Sequence, residues 1–303
     1  MCVIKSFSRL ITHLTSLRSK PTVAVVCPYD EGTCAALLRA LSHDIIRVVL
    51  VGQPQRIDAT GIRQMYPDKV EVLAADDAAD AATKAVELVR RHSADILMKG
   101  LIGTDQLLHA VLNKTAGILP AGSLLSHISA TELPGLNRLL FFSDVAVIPY
   151  PTPEQRHRIL EMDLEVVRKF GIEKPKVALI HFTEKTNPKF PNSVTYNEMI
   201  QQQAETRCYD DAILGGPMDV KTALDAHSAQ VKGIVSEVCG NADLLIFPNI
   251  ESGNTFYKTV SLLTGAPMAG MLLGTDAPVV LPSRSDSADS KFCSLALAAI
   301  ACV

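Results

Sequence analysis

The sequence predicts an α/β fold with a largely parallel sheet, divided between two domains. Short apolar runs alternate with longer segments of helical periodicity, which is typical of strands joined by crossover helices. The alternation restarts after a proline-rich connection, "PYPTP", at residues 149–153. The chain has 303 residues, 48% of them hydrophobic, and this length favours two cores over one.

The first 20 residues, "MCVIKSFSRLITHLTSLRSK", predict an amphipathic helix that packs on the body of the protein. Their apolar side chains recur at helical spacing, without the unbroken apolar stretch of a signal peptide; they are Ile4, Phe7, Leu10, Leu14 and Leu17. Apolar runs at residues 22–27, 45–52 and 94–100 then predict strands. Between the last two, "DDAADAATKAVELVRRH" has acidic residues in its first turn and basic ones in its last, as the helix dipole favours.

The middle and the end of the chain continue this pattern. Residues 123–144 contain two strand-like runs joined at Pro134 and Gly135, which predict a hairpin or an antiparallel edge. The helix that follows "PYPTP" is predicted to end at Gly171, as a C-cap glycine should. Further strands are predicted at residues 176–182, 242–248, 268–274 and 278–282. The restart places a domain boundary near residues 145–153.

Composition excludes several classes of protein. A formal charge of −3 gives no general reason to expect nucleic acid as a partner, although local basic clusters can still bind anionic small molecules. The seven cysteines are scattered and include no CxxC, so neither a disulfide framework nor a zinc site is indicated, and a reducing cytoplasm fits best. No stretch reaches the roughly 18 apolar residues of a membrane span.

Polar residues follow several of the predicted strands, where ligands bind in open α/β sheets. The candidates for anion binding are Lys99 and Gly100 with a helix N-terminus near Thr104, Ser126 and His127, Asn187 and Lys189, and Asn254 and Lys258. Gly253 would permit a ligand to approach the backbone. Each residue alone also has a structural interpretation, as a solvated lysine, a helix cap or a hydrogen-bonded histidine. The prediction therefore rests on their recurrence at strand ends.

The stretch "VVLPSRSDSADSKF" (279–292) has the densest polar cluster, between a predicted strand and an apolar final helix. It contains Ser283, Arg284, Asp286, Ser287, Asp289 and Lys291. Two carboxylates and a serine at a helix start could serve only the cap and the dipole. A hydroxyl, a guanidinium and a carboxylate could instead act together in proton transfer and charge stabilisation.

Four stretches resemble the phosphate acetyltransferase and phosphate butyryltransferase family, and are more similar to the butyryltransferase branch. They are "LMKGLIGTDQLLHAVLNK", "LLSHISATELPG", "ESGNTFYK" and above all "LPSRSDSADSKFCSLALA", and the similarity runs from residue 20 to 303. The resemblance implies a two-domain α/β/α fold related to the isocitrate and isopropylmalate dehydrogenases, with the active site in the interdomain cleft. It implies a first domain of residues 1–146 plus 277–303 and a second of residues 147–276.

The resemblance also implies the reaction, a reversible transfer of a short acyl group, with butyryl preferred, between coenzyme A (CoA) and inorganic phosphate. No metal, other cofactor or covalent acyl-enzyme is implied, and the expected protein is a cytoplasmic homo-oligomer that acts on acyl-CoA and acyl phosphate. Carried over to this chain, Ser283 would hydrogen-bond the thiol sulfur and Arg284 would bind phosphate and stabilise developing charge. Asp286 is the candidate base, held slightly ahead of Asp289. Asp289 stays open because the catalytic carboxylate of the acetyltransferase branch falls, in ungapped register, at the neighbouring Ser290. CoA and phosphate contacts are expected from Lys99, Gly100, Thr104, Ser126, His127, Asn187, Lys189, Asn254, Lys258 and Lys291.

Two departures weaken the implied CoA site, and three alternatives stay open. Gly103 stands where the family often has histidine, and His109 where a permanently charged residue is common. The alternatives are a phosphate acetyltransferase acting on acetyl-CoA, a non-catalytic acyl-CoA sensing module and a decarboxylating dehydrogenase of the related fold. The dehydrogenase would require clustered metal-binding aspartates and an arginine-rich hydroxyacid site, and the sequence shows neither.

Overall fold

The computed structural model of the protein describes residues 3–283 and 285–303, and it is a mixed α/β structure. The strands are β1 (Thr22–Val26), β2 (Arg47–Gly52), β3 (Val70–Ala74), β4 (Ile96–Lys99), β5 (Ser126–Thr131), β6 (Leu140–Ser143), β7 (Lys176–Ile180), β8 (Ile213–Met218), β9 (Leu244–Ile246), β10 (Met268–Leu273) and β11 (Val279–Val280). The helices are α1 (Phe7–Ser16), α2 (Glu31–Ser42), α3 (Pro54–Asp58), α4 (Ile62–Met65), α5 (Ala78–Arg90), α6 (Thr104–Val111), α7 (Pro153–Lys169), α8 (Pro191–Thr206), α9 (Val220–Leu224), α10 (Ala226–Val231), α11 (Ile250–Thr264) and α12 (Ala288–Ala301).

The chain forms two compact units, and each is discontinuous in sequence. Unit A consists of Phe7–Leu125 and Pro267–Val303, and unit B consists of Ser126–Ala266 with the described residues up to Ser6. The domain boundaries implied by the resemblance, at 146/147 and 276/277, lie about 20 and 10 residues later in the sequence than these breaks. The breaks differ because β6 pairs with β9 of unit B, whereas β10 pairs with β11 of unit A.

In unit A the described strands lie in the order β3-β2-β1-β4-β11-β10. The pairs are parallel except β10 with β11, which is antiparallel. The final helix, α12, is apolar around most of its surface and is buried from Ser290 to Ile300, packed against β10, α2 and α1. The predicted N-terminal helix is confirmed as α1, which buries Phe7, Leu10 and Leu14.

In unit B the described strands lie in the order β5-β6-β9-β7-β8. The predicted hairpin is confirmed as the antiparallel pair of β5 and β6, and the other pairs are parallel. Helix α7 begins at the rigid connection, where the Thr152 hydroxyl accepts the Gln155 N–H at 3.2 Å. It ends just before Gly171, whose φ of 78° lies in the left-handed region that glycine tolerates. Throughout the described ranges, no helix has the length and apolarity that crossing a membrane requires.

Candidate active site

The end of β4 and the segment after β11 line one depression in unit A, of about 340 Å³. It is lined by Lys99, Ile102, Gly103, Thr104, Asp105, Pro282 and Ser283. Three residues predicted from two distant stretches, Lys99, Thr104 and Ser283, therefore meet there. Lys99 is almost completely buried, and its Nζ lies 3.5 Å from the Pro282 carbonyl oxygen. The depression combines this ammonium with the N-terminus of α6, and both favour an anion.

Gly100 allows the end of β4 to lie close to the end of β1 in unit A. Its N–H donates to the Val26 carbonyl oxygen at 2.9 Å, and a Cβ here would lie 2.4 Å from the Cys27 carbonyl oxygen. Any side chain would force β4 away from the end of β1. The packing of β4 against β1 thus explains the glycine of the "KG" pair, and Lys99 is the member of the pair that lines the depression.

The segment after β11 forms a tight polar turn around Ser283 and Asp286. The Asp286 carboxylate accepts the Ser283 backbone N–H at 2.8 Å, and the Asp286 N–H donates to the Ser283 carbonyl oxygen at 3.1 Å. The Ser283 hydroxyl is exposed and lies 3.0 Å from the Ser285 hydroxyl. Asp286 therefore fixes the position of Ser283 through one of its two carboxylate oxygens. The predicted Arg284 lies outside the described residues.

Two other residues of the same stretch are engaged in contacts away from the depression. Asp289, in the first turn of α12, forms an exposed ion pair with Arg39. The Lys291 side chain is only 6% exposed, and its Nζ donates to Asp30 Oδ1 at 2.7 Å. Burial pulls the Asp30 pKa upward, but hydrogen bonds from Lys291 and Thr33 outweigh it and hold the pKa below its usual value. The geometry favours a structural role for Lys291, joining α12 to α2.

In unit B, a tight turn at residues 144–148 is organised by Asp144. This buried carboxylate accepts the N–H groups of Ala146, Val147 and Ile148 at 2.9–3.1 Å. The buried Ser126 hydroxyl donates to it at 3.4 Å. Burial raises the Asp144 pKa, and the backbone hydrogen bonds oppose that rise. Ser126 thus begins β5 as part of this turn and is not a helix cap.

His127 and Lys258 lie close enough in unit B for the charge of one to affect the other. Burial lowers the pKa of the His127 imidazole to about 4, and the Lys258 ammonium acts in the same direction. His127 is therefore neutral at pH 7. It can donate or accept a hydrogen bond, but it does not add positive charge for a phosphate. Exposed Lys258 supplies the cation at this position.

The start of α11 packs directly on the turn formed by Asp144. The Asn254 amide donates to the Val145 carbonyl oxygen at 2.9 Å, while Asn249 caps α11 by accepting the Ser252 N–H at 3.0 Å. A Cβ on Gly253 would lie 2.5 Å from the Asp144 carbonyl oxygen. The close approach predicted for a ligand at Gly253 is therefore an approach of α11 to its own unit's backbone.

Asn187 and Lys189 lie on the loop after β7. The Asn187 side chain accepts the Lys189 N–H at 2.9 Å, and the Asn187 N–H donates to the Ser193 hydroxyl at 2.9 Å. Asn187 therefore shapes the loop, and Lys189 is exposed at its end. These two residues share the carboxyl side of the unit B strands with the Asp144 turn, because β6, β9 and β7 are neighbouring parallel strands.

Three buried charged residues were missed from sequence. Asp144 follows β6 directly, so the strand-end criterion could have selected it. Arg156 and Asp163 lie within α7, where no local pattern distinguishes them from solvated helix residues. Arg156 donates to Asn192 Oδ1 at 3.0 Å and to the Phe247 carbonyl oxygen at 3.2 Å, linking α7 to α8 and to the end of β9. Within residues 3–283 and 285–303, no group of three or more histidine, cysteine or acidic side chains is placed to hold a metal ion.

Comparison with known proteins gives a consistent assignment. The profile of the family described as "Phosphate acetyl/butaryl transferase" matches residues 63–299. The chain is 38% identical to a phosphate butyryltransferase from Clostridium acetobutylicum over 98% of both chains. It is 34% identical to a phosphate acetyltransferase from Thermotoga maritima, over 92% of this chain and 94% of the relative.

A solved structure extends the similarity to the fold. A branched-chain phosphotransacylase from Enterococcus faecalis V583 superposes with a TM-score of 0.82 at 30% identity. The match covers 93% of this chain and 99% of that one. This chain therefore resembles the phosphotransacylase in both fold and sequence over nearly its whole length.

Proposed function

The chain belongs to the phosphate acetyl/butaryl transferase family, and from that premise we propose that it works as a phosphate butyryltransferase. It transfers an acyl group reversibly between CoA and inorganic phosphate. The butyryl preference is supported by the identity to a butyryltransferase over nearly the full chain. The similarity to an acetyltransferase makes acetyl-CoA the second candidate substrate.

The chemistry requires three functions at one site. In the direction of acyl-CoA formation, the thiol sulfur attacks the carbonyl carbon of the acyl phosphate, the new C–S bond forms, and the C–O bond to phosphate breaks. A base must take the thiol proton, because a free thiol has a pKa of about 8.5. Cations must hold the departing phosphate, and donors must stabilise the oxyanion. In the reverse direction the same base returns the proton to the thiolate.

The depression in unit A is the observation that carries this proposal. It brings together the buried Lys99 ammonium, the N-terminus of α6 at Thr104 and the exposed Ser283 hydroxyl. We assign the first two to the phosphate group and Ser283 to the thiol. Asp286, hydrogen-bonded to the Ser283 N–H, is the proposed base. The role of Arg284 in binding phosphate and stabilising charge rests on the resemblance.

The polar residues of unit B are proposed to contact CoA. Lys258 and Lys189 offer exposed cations, and Asn187 and Asn254 offer hydrogen-bonding groups near the same sheet edge. Ser126, also expected to contact CoA, is fully buried, and its hydroxyl is used by the Asp144 turn. Neutral His127 is suited to a hydrogen bond with an amide or carbonyl group rather than with a phosphate. The proposed contacts thus divide between phosphate-binding cations and neutral hydrogen-bond partners.

Three further proposals concern the whole protein: its fold relation, its location and its oligomeric state. The relation to the isocitrate and isopropylmalate dehydrogenases, with a site in the interdomain cleft, rests on the resemblance. A cytoplasmic location is supported by the cysteines, because none of the six described cysteines is joined in a disulfide. A homo-oligomer is supported by Leu262 and Leu263 at the end of α11, which are 82% and 75% exposed.

The first experiment measures CoA thiol release by the purified protein from butyryl-CoA and from acetyl-CoA, with and without phosphate. Phosphate-dependent release that is faster with butyryl-CoA is expected. Faster release with acetyl-CoA would keep the reaction and change the substrate. Absence of release, together with measurable acyl-CoA binding, would favour a sensing module.

Variants then test the proposed charge stabilisation. Arg284→Ala and Lys99→Met should each lower turnover by about a hundredfold, the range expected for removing a charge-stabilising donor. Lys84→Met, which removes a lysine that pairs with Asp80 on the surface of α5, is the matched control. A loss smaller than about threefold in either test variant would remove that residue from the mechanism.

A further inference from the structure

A small aromatic cluster beside two lysines lies on the loop after β7, and no step proposed above uses the rings. Phe182 is 68% exposed and Phe190 is 38% exposed. Their ring centroids are 4.8 Å apart at an interplanar angle of 87°, and the His181 ring lies 4.6 Å from that of Phe182. A large exposed ring in a fixed orientation is a surface for stacking another planar group.

The loop is held in place by its own hydrogen bonds. The Thr183 N–H donates to His181 Nδ1 at 3.3 Å, and Asn187 is bonded on both sides as described above. The Phe190 N–H donates to the Asn187 carbonyl oxygen at 2.8 Å, immediately before α8 begins. The exposed face of Phe182 is thus presented on a loop that is hydrogen-bonded locally at each end and joined across by the contact of the Phe182 and Phe190 rings.

The charge on this loop is positive. Lys185 and Lys189 are both exposed, and within the described part of the chain no carboxylate forms an ion pair with either one. Glu184, the one acidic residue between Phe182 and Phe190, is paired with Lys232. An exposed aromatic face on the same loop as two exposed lysines matches a planar base that carries phosphates.

We propose that Phe182 and Phe190, with Lys185 and Lys189, bind the adenosine bisphosphate end of CoA, the adenine stacking on Phe182 and the phosphates facing the lysines. This inference rests on the proposed function and deepens it. Among the substrates of that reaction only CoA has an aromatic base, since phosphate and a short acyl phosphate have none. A second protein is a poorer match, because the exposed apolar surface amounts to two rings flanked by like charges.

The test compares butyryl-CoA with butyryl-pantetheine, which has the same thioester but no adenosine bisphosphate. Phe182→Ala should raise KM for butyryl-CoA about tenfold, within the range measured for loss of base stacking on an aromatic side chain. Phe182→Tyr retains the ring and should stay within about twofold of the unchanged protein. KM for butyryl-pantetheine should be the same in all three proteins. Equal changes with both thioesters, or no change with either, would overturn the proposal.

The lysines are tested in the same way. The double variant Lys185→Ala/Lys189→Ala should raise KM for butyryl-CoA and leave that for butyryl-pantetheine unchanged. Lys174→Ala, an exposed lysine elsewhere in unit B, is the control. The effect should shrink as salt is added, because exposed charges are screened. A double variant indistinguishable from Lys174→Ala would remove the lysines from the site.

Binding of adenosine 3′,5′-bisphosphate, followed by calorimetry, separates this proposal from the proposed function because it needs no turnover. The nucleotide should bind the unchanged protein, bind Phe182→Ala about tenfold more weakly, and compete with butyryl-CoA. Binding without competition would identify a separate nucleotide site and overturn the assignment to CoA. Absence of thiol release with intact, Phe182-dependent nucleotide binding would contradict the proposed reaction and keep the aromatic subsite.

Discussion

Asp144 and Asp163 are two buried carboxyl groups of unit B with opposite surroundings. Asp144 accepts three backbone N–H groups and a serine hydroxyl. Asp163 is fully buried on α7, and neither of its carboxyl oxygens accepts a hydrogen bond with good geometry from a described group, although the Ser143 side chain is near enough to oppose the effect of burial. Burial raises the pKa of Asp163 well above its usual range, and the charge of Asp144 adds to the rise. Asp163 is therefore protonated over a pH range in which an exposed aspartate is ionised.

The first prediction follows from the sign of this shift. Between the unfolded pKa, about 3.9, and the raised folded value, the folded protein holds a proton that the unfolded chain has released. The free energy of unfolding therefore falls as pH rises through that window. Asp163→Asn cannot ionise and should raise the free energy of unfolding at pH 7 by about 1 kcal/mol or more. Urea denaturation at pH 4.5 and pH 7 measures both values.

The gain from Asp163→Asn should shrink at the lower pH, because the aspartate is then increasingly protonated in the unfolded chain too. Asp68→Asn, at an exposed aspartate of unit A, serves as the control. If Asp163→Asn lowered the free energy of unfolding equally at both pH values, the result would contradict a protonated Asp163 and indicate a carboxylate that is ionised and paired with a cation in the folded protein.

The second prediction separates the two candidate bases, Asp286 and Asp289. Asp289 is 71% exposed and paired with Arg39, whereas Asp286 is bonded to the Ser283 N–H at the edge of the depression. Asp286→Asn retains the oxygen that accepts this N–H but loses basicity, so turnover should fall about a hundredfold. Asp289→Asn should change it by less than about threefold. Steady-state kinetics with butyryl-CoA and phosphate compares the two.

An outcome with small and equal losses would mean that neither carboxylate is the base. A large loss in Asp289→Asn alone would support the acetyltransferase register. Denaturation midpoints of both variants show whether a loss of rate comes from a loss of folded protein.

At the scale of elements, the sequence predicted the strands that are buried and continuous, and missed two strands at the outer positions of the described sheets. β3 has the sequence "VEVLA", in which Glu71 interrupts the apolar residues and only Val70 is buried. β8 contains Gly215, Gly216 and Pro217, which are turn signals in any local reading. An outer strand pairs on one side only and tolerates such residues, so pairing with the neighbouring strand decides the structure there.

The site residues also fall into two groups, those that the sequence predicted and those that it did not. Lys99, Thr104 and Ser283 were predictable because each stands just beyond a strand or at a helix start, where the local pattern is visible. The engagement of Lys291 was not predictable, because its partner Asp30 is 261 positions away. Burial of Asp163 likewise depends on the residues that pack against α7. The spacing of residues within α7 does not predict those contacts. Contacts distant in sequence determine which polar residues are structural.

The third prediction concerns the ion pair that joins α12 to α2. Lys291→Met keeps most of the apolar stem but leaves the partly buried Asp30 without its cation, so the free energy of unfolding should fall by about 3 kcal/mol. Glu87→Gln breaks an exposed pair with Arg91 on α5 and should cost less than about 1 kcal/mol. Urea midpoints of the two variants provide the comparison.

A double variant, Asp30→Asn with Lys291→Met, completes the cycle. It should lose less than the sum of the single variants, because the charge left unpaired by Lys291→Met is then gone. Additive losses would show that the two side chains do not stabilise the protein as a pair. A loss in Lys291→Met no greater than in Glu87→Gln would contradict the buried pairing itself.

In the whole molecule, unit A is not formed from one continuous stretch of the chain. Unit A is made from Phe7–Leu125 and again from Pro267–Val303, with the main part of unit B inserted between them. The returning segment supplies β10, β11 and α12, and β11 lies between β4 and β10. Unit A therefore depends for its sheet and its core on residues that follow unit B in sequence.

The fourth prediction is that the chain can be cut after unit B without losing its last segment. Thr264 and Gly265 are exposed at the end of α11, where an inserted protease recognition sequence should be tolerated. After cleavage, the segment from 267 to 303 should stay bound, because α12 packs on α2 and α1 and β11 remains paired with β4. Size-exclusion chromatography should show one peak containing both fragments, which separate only in denaturant. Loss of the short fragment from that peak under native conditions would show that chain continuity holds unit A together, and not the packing of α12 on α2 and α1 with the pairing of β11 and β4.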